Sequence, residues 1–223
     1  MIDAINYQNW YYKESRFQYE LKETEIFSSW NLSSTIPVGS VEFVQSFIKH
    51  INPVANIRPI NIPDQLMYSK FLGRRVYKNC FDDISGTLFV KDNSKIKGIS
   101  DFVNSDNAKE FIKYNNLKEY IVSESIKIKS EWRGFVYRNE LVDLRNYSGA
   151  FDIFPDVIRI REMVATYKDC PPAYTIDVAV TETGTFLIEC HNFFSCGLYG
   201  FSDYTILPNM LVKAFKWQLE NLK

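Results

Sequence analysis

The sequence predicts an α+β protein of two lobes, and three observations predict it. Short runs of strand character are joined by turns of two or three residues, as in hairpins, and stretches with apolar residues at helical spacing are interspersed among them. Strand and helix do not alternate regularly, as a doubly wound parallel sheet would require. A chain of 223 residues, 46% hydrophobic and 24% charged, is long enough for one compact unit or two small lobes sharing a core.

Taken in order, VEFVQSFIKH (41 to 50) carries apolar residues at 41, 43, 44, 47 and 48, with Gly39 and Ser40 ahead of it as a helix start. Residues 51 to 65 hold Pro53, Pro59 and Pro63 among short apolar residues and read as an extended connector. This makes residues 1–65 a reduced N-terminal lobe. A small lobe over 66–125 follows: TLFVK (87 to 91) reads as a strand, DNSKIKGIS (92 to 100) as a polar loop, 107 to 114 as a helix and EYIVSE (119 to 124) as a strand. In the larger lobe, 126–223, RGFVYR (133 to 138) and LVDLR (141 to 145) flank a two-residue turn at Asn139-Glu140. PDVIRIREMVATYK (155 to 168) opens on proline and keeps a helical stripe at 157, 160, 163, 164 and 167. YTIDVAV and TFLIEC form a second hairpin, NFFSCGLYGFSDY (192 to 204) reads as a loop around a ligand, and residues 207 to 223 read as a closing helix.

Twenty-six basic residues against twenty-seven acidic ones leave a formal charge of −1, so bulk electrostatics provides no general nucleic-acid binding and any anion site must be local. Four cysteines without C-x-x-C spacing suit a reducing compartment. The N-terminus lacks the pattern of a secretory signal and no window reaches about 18 uninterrupted apolar residues. The expectation is a cytoplasmic protein with no membrane span. Cys190 and Cys196 make poor nucleophiles, since His191 is the one base near them in sequence and no electropositive setting for a thiolate is evident.

The hairpin at 174 to 192 carries the most chemistry. With Glu182, Thr183 and Gly184 as a three-residue loop and Gly184 left-handed, Thr181 pairs with Thr185, and counting back sets Asp177 opposite Glu189. Directly opposed side chains in an antiparallel pair have Cβ atoms about 4.5–5.5 Å apart, so like charges there repel unless something positive sits between them. The flanking Val178, Val180, Leu187 and Ile188 argue against a wet face on which water would screen the repulsion. A hard cation such as magnesium, shared with the phosphates of a nucleotide, is the natural occupant. On the same count His191 shares the face of Glu189 and Asn192 follows, either of which completes the coordination, the amide being the better magnesium ligand. The competing reading is a solvent-facing hairpin with two unrelated acids, which a slip of one residue in register would produce.

Cationic candidates surround this hairpin in the sequence. Lys91 ends a strand before a loop with Lys95, Lys97 and Gly98, a setting that suits phosphate as well as it suits a solvated basic loop. Glu131 and Arg133 lie two apart on one strand face, as an ion pair or as a site, with Arg145 on the partner strand. Lys168 ends a helix and is either a helix-terminal charge or part of the site.

Together these motifs resemble those of the ATP-grasp superfamily, in particular its small phage-type domains read as amino-acid ligases. The resemblance rests on LFVKDNSKIKG, YIVSESI, SEWRGF and the acid of YTIDVAV followed twelve residues later by that of LIECHN, over about residues 66 to 205, with PVGSVEF and GLYGF as further points of likeness. It implies two α+β lobes gripping ATP, with Lys91 and Lys97 at the phosphates and Arg74 or Arg75 as a further phosphate contact. It also implies Val122, Ser123 and Glu124 at the adenine and ribose, and Asp177, Glu189 and Asn192 holding magnesium. Two departures stand out: His191 occupies the amide position of the usual Glu-x-Asn, and Thr175 stands where an arginine is usual, two before the metal acid. Arg133, Arg145 and Lys168 are the candidates to supply that cation, and Arg133 and Arg145 to orient an acylphosphate or an acceptor carboxylate. The function implied is an ATP-dependent carboxylate–amine ligase that forms an amide through an acylphosphate, on small-molecule or peptide substrates, with ATP and magnesium as cofactors. The alternatives are a nucleotide-binding module without turnover and a phosphotransferase. Nothing in the sequence speaks to oligomeric state.

Overall fold

The computed structural model describes residues 1–21, 27, 31 and 34–222, and Lys223, part of the expected closing helix, lies outside them. Among the described residues, two four-stranded antiparallel sheets and six α-helices make a mixed α+β fold. The first sheet comprises β1 (Val76–Lys78), β2 (Thr87–Asp92), β3 (Ser100–Asn104) and β4 (Tyr120–Glu124) in the order β1-β4-β2-β3. The second comprises β5 (Ser130–Tyr137), β6 (Glu140–Gly149), β7 (Ala173–Val180) and β8 (Thr185–Asn192) in the order β6-β5-β7-β8. Residues 125–129 join the two. Among the described residues no helix is long and apolar enough to cross a membrane.

Period-2 alternation divides the faces of each sheet. In the first, Leu88, Val90 and Val122 point to one side and pack on Ala108 of α4 (Ser105–Tyr114), leaving Phe89, Lys91 and Ser123 on the other. In the second, Trp132, Val136, Tyr174, Ile176, Val178 and Leu187 bury one face under Ile160, Met163 and Val164 of α5 (Val157–Thr166). The opposite face is covered at one end by Leu207, Met210, Leu211 and Ala214 of α6 (Leu207–Glu220), which pack on Phe135, Tyr137 and Ala173 together with Ala4 of α1 (Ile2–Tyr12). Each fully buried aliphatic side chain of these layers contributes roughly 1.5–3 kcal/mol, so both faces of the second sheet are held. The uncovered end of the α6-side face carries the polar residues described below. Residues 1–65 contribute no strand among those described; α1 packs on α6, and Val44, Phe47 and Ile48 of α2 (Val41–Ile51) meet Phe215 of α6.

Helix starts follow the expected caps. Ser40 accepts from the Phe43 amide at 3.2 Å, Asn104 from Asp106 at 3.0 Å, and Asp156, one after the expected opening proline, from Ile158 and Arg159 at 2.9 and 3.1 Å. Several boundaries differ from expectation. The polar segment ends in an edge strand, β3, which the sequence hid because its residues are mostly exposed and polar. Helix α1 was not expected, its apolar and polar residues being poorly segregated. The two-residue turn is Arg138-Asn139 rather than Asn139-Glu140, both at positive φ (52° and 63°) as a mirror-image hairpin turn demands.

The register of the carboxylate hairpin also differs, with a consequence. Val180, not Thr181, pairs with Thr185, so Thr181 to Gly184 form the loop, closed by the Thr181 amide on the Gly184 carbonyl at 2.9 Å. Continued unbroken, that register would set Asp177 against Ile188. A β-bulge between Asp177 and Val178 absorbs Ile188 and restores Asp177 opposite Glu189. The predicted pair is therefore formed, but by two compensating shifts.

Candidate functional site

One row crosses all four strands of the second sheet: Arg145 on β6 opposes Arg133 on β5, Arg133 opposes Asp177 on β7, and Asp177 opposes Glu189 on β8. His191, two residues beyond Glu189, shares its face and stands opposite Thr175. The repulsion between the acids is met by side chains. Arg133 holds Asp177 bidentately, Nε to Oδ1 at 2.8 Å and Nη2 to Oδ2 at 2.7 Å, with only 7% and 2% of the two residues exposed. Lys91, reaching across from the first sheet, pairs with Glu189. His191 Nε2 lies 3.2 Å from Asp177 and 3.4 Å from Glu189.

These contacts set the charges. Burial opposes ionisation of Glu189, but hydrogen bonding and charge from His191, with the charge of Lys91, outweigh it and hold the carboxyl at about 2. Burial likewise opposes the imidazolium, yet Asp177 and Glu189 raise His191 to about 9, so the ring is protonated at neutral pH. The Arg133 guanidinium also donates to the Gly197 carbonyl at 3.2 Å and lies near the stacked rings of Tyr147 and Tyr199. Burial pushes the Cys196 thiol up to about 12 and Cys190 well above its ordinary value, which removes both as nucleophiles.

A cleft of about 300 Å³ opens between the sheets, at the lower end of the roughly 300–1,000 Å³ typical of ligand pockets. Its walls include Lys91, Lys95 and Lys97 from the first sheet and its loop, Arg133 and His191 from the second, and Asn61 from the connector. A larger, open depression of about 580 Å³ beside Phe102 and Tyr114 has, among the described residues, Glu110 as the one charged residue in its lining and no cation, so the chemistry lies in the cleft.

The remaining sequence candidates fall in several places. Lys97 lines the cleft and pairs with Glu42 at 3.0 Å. Arg145 is held by Asp143 at 2.8 Å, with Ser202 at 3.3 Å. Glu131 accepts from Tyr147 at 3.0 Å, and Arg133 bonds Asp177 in its stead. Arg74 donates to the Leu72 and Leu187 carbonyls at 3.0 and 2.8 Å, where burial lowers it to about 10, and does not line the cleft. Arg75 pairs with Glu124. The Val122 side chain points into the α4 core, and strands on both sides of β4 engage the backbone of Val122, Ser123 and Glu124. Lys168 is exposed after α5, on the face of the sheet away from Asp177. Asn192 alternates away from Glu189, and its Nδ2 donates to the Arg58 carbonyl at 3.0 Å.

Asp177, Glu189 and His191 bring one ligand atom each within 4.8 Å of one another. The two carboxylates fit a hard cation such as magnesium, whereas the imidazole nitrogen fits it poorly. The sequence missed the Arg133–Asp177 pair because those residues stand 44 apart, beyond any single turn, although a buried arginine between strands was a signal. It also missed Asn61, whose polar side chain in an apolar, proline-bearing connector was the available clue.

The family model that matches residues 71–207 is described as an ATP-grasp domain, clade family 2. Among solved structures, the chain is similar to a RimK domain ATP-grasp protein from Sphaerobacter thermophilus, with 14% identity and a TM-score of 0.50 over 66% of this chain and 64% of that one. It is also similar to D-alanine–D-alanine ligase from Bacillus anthracis complexed with ATP (13% identity, TM-score 0.49, 70% and 64% covered). A third similar structure is the ATP-grasp ligase PsnB with its minimal precursor (12% identity, TM-score 0.48, 70% and 60% covered). The chain thus spans less than two thirds of the length of each. No curated protein matches the sequence.

Proposed function

The chain belongs to the ATP-grasp superfamily, and from that premise we propose that it is an ATP-dependent carboxylate–amine ligase acting on an amino acid or peptide. The observation that carries this reading is the opposition of charge across the cleft: Lys91, Lys95 and Lys97 on one side, Asp177 and Glu189 on the other. A substrate carboxylate oxygen attacks the γ-phosphorus of ATP, the bond to the ADP oxygen breaks, and an acylphosphate results. An amine nitrogen then attacks the acyl carbon, phosphate departs with the electrons of the C–O bond, and the amine gives up a proton. Such chemistry asks for positioning and charge neutralisation rather than a protein nucleophile, which suits a site whose two thiols are held protonated.

The roles divide by position. Lys91 and Lys97, with Lys95, take the phosphates, Lys91 exchanging Glu189 for phosphate when nucleotide enters. Asp177 and Glu189 hold magnesium, which when bound neutralises triphosphate charge, with His191 in third place beside them. Arg133 acts on the reaction through Asp177, and Arg145, next in the row, orients the acceptor carboxylate. Val122, Ser123 and Glu124 lead into residues 125–129, whose position between the sheets suits adenine and ribose. Lys168 takes no part.

One observation favours a second reading, a nucleotide-binding module without turnover: Arg133 already occupies both oxygens of Asp177. Phosphate release measured with ATP, magnesium and pools of amino acids separates the two. Release that requires both a carboxylate and an amine is expected; nucleotide binding with no release under any pairing contradicts the ligase and supports the module.

A further inference from the structure

Two residues of the connector each touch both halves of the cleft. Arg58 sends its guanidinium to Glu119, just before β4 of the first sheet, with bonds of 2.8 and 2.9 Å, while its carbonyl accepts from Asn192 on β8. Asn61 repeats the arrangement. Its Nδ2 donates to Asn93 Oδ1 at 2.7 Å, and its carbonyl accepts from the Cys190 amide at 2.6 Å, between Glu189 and His191. Asn93 and Glu119 are themselves joined, amide to carbonyl, at 2.9 Å. Residues 58 to 61 therefore form a strap whose backbone is fixed to the carboxylate strand and whose side chains are fixed to the sheet that carries the lysines.

The two rungs are unequal. Arg58 and Glu119 are 54% and 34% exposed at their side chains, and exposed pairs of this kind contribute little. Asn61 is 2% exposed, so its amide is desolvated and its bond to Asn93 is costly to lose. Its φ of +52° lies in the left-handed region, which asparagine tolerates better than most residues. Ile60 and Ile62 on either side sink into the core under α5, so the strap cannot shift with the small sheet. Asn93 opens the loop that carries Lys95 and Lys97, and the buried Asp92 before it accepts from the Ser94 amide and hydroxyl, both at 2.7 Å.

We propose that Asn61 is a positioning residue that sets the spacing between the lysine loop (93 to 98) and the carboxylates of β8, and so the fit of the triphosphate. Its consequence for nucleotide rests on the reading given above; the spacing itself does not. The test uses Asn61→Gly, which keeps the positive φ and deletes the amide, with Asn93→Ala and the double variant. Without nucleotide, amide hydrogen exchange at residues 93 to 98 and 190 to 192 is expected to quicken about tenfold in Asn61→Gly, with the core of the second sheet unchanged. The affinity for a non-hydrolysable ATP analogue with magnesium is expected to fall about tenfold in each single variant and no further in the double. Unchanged exchange in the loop, or additive losses in the double variant, overturns the proposal. Faster exchange in a protein whose unaltered form binds no nucleotide upholds the strap and overturns the nucleotide reading instead.

Discussion

Arg133 and Asp177 are the residues on which the site's electrostatics turns. Both are buried and each satisfies the other, so removing one partner leaves an uncompensated charge, at a cost of roughly 3–5 kcal/mol. Asp177→Ala is therefore expected to lower stability by about that amount in urea unfolding, and Arg133→Met in the same chain to recover part of it; a loss below about 1 kcal/mol would mean that the pair is not structural. Glu189 and His191 make stability depend on pH. His191, raised from 6.5 to about 9, contributes stability that is complete below about pH 6.5 and lost as pH rises through about 9. Glu189, lowered from 4.5 to about 2, contributes stability that is present above about pH 4.5 and lost as pH falls toward about 2. The urea midpoint is thus expected to be highest between these limits, and His191→Asn to flatten the alkaline limb; an unchanged limb contradicts the assignment. The acids themselves were legible in the sequence, because two carboxylates amid Val178, Val180, Leu187 and Ile188 announce a buried anionic pair. What compensates them was not, since Lys91 reaches Glu189 across 98 residues of chain.

At the scale of elements, hairpins and capped helices were readable because their signals are local: Ser40, Asn104 and Asp156 cap helices, and Gly184, at a φ of +148°, sits in the predicted turn. The bulge at Ile188 was not readable, because a strand that gains one residue keeps the same composition and nearly the same alternation. The edge strand β3 escaped for a related reason, as an exposed strand has no apolar face to alternate. The short helix α3 (Ser69–Leu72) ends at Gly73, whose φ of +60° and whose distance of 2.5 Å from an added Cβ to the Phe186 ring leave room for glycine alone. Gly73→Ala is expected to cost about 2 kcal/mol or more, the left-handed strain of about 1–2 kcal/mol adding to the displaced ring, read as a lower thermal midpoint; a change under about 0.5 kcal/mol would show that the turn relaxes freely.

For the whole molecule, the two sheets were predicted as lobes, but what joins them was not. Lys91 with Glu189, Asn61 with Asn93 and Arg58 with Glu119 tie them together, and each tie links residues far apart in sequence. A ligand that bridges both walls stabilises the folded chain by mass action, about 2.7 kcal/mol at a hundredfold excess over its Kd, so ATP analogue with magnesium is expected to raise the thermal midpoint by several degrees. The carboxylate to alter is Glu189, half-buried at the cleft, because a change at Asp177 would confound binding with stability. The most direct measurement is therefore calorimetric titration of a non-hydrolysable ATP analogue into the unaltered protein and into Glu189→Gln, with and without magnesium. The account predicts that magnesium tightens binding at least tenfold in the unaltered protein and not in the variant; equal magnesium dependence in both, or no binding to the unaltered protein, would contradict it.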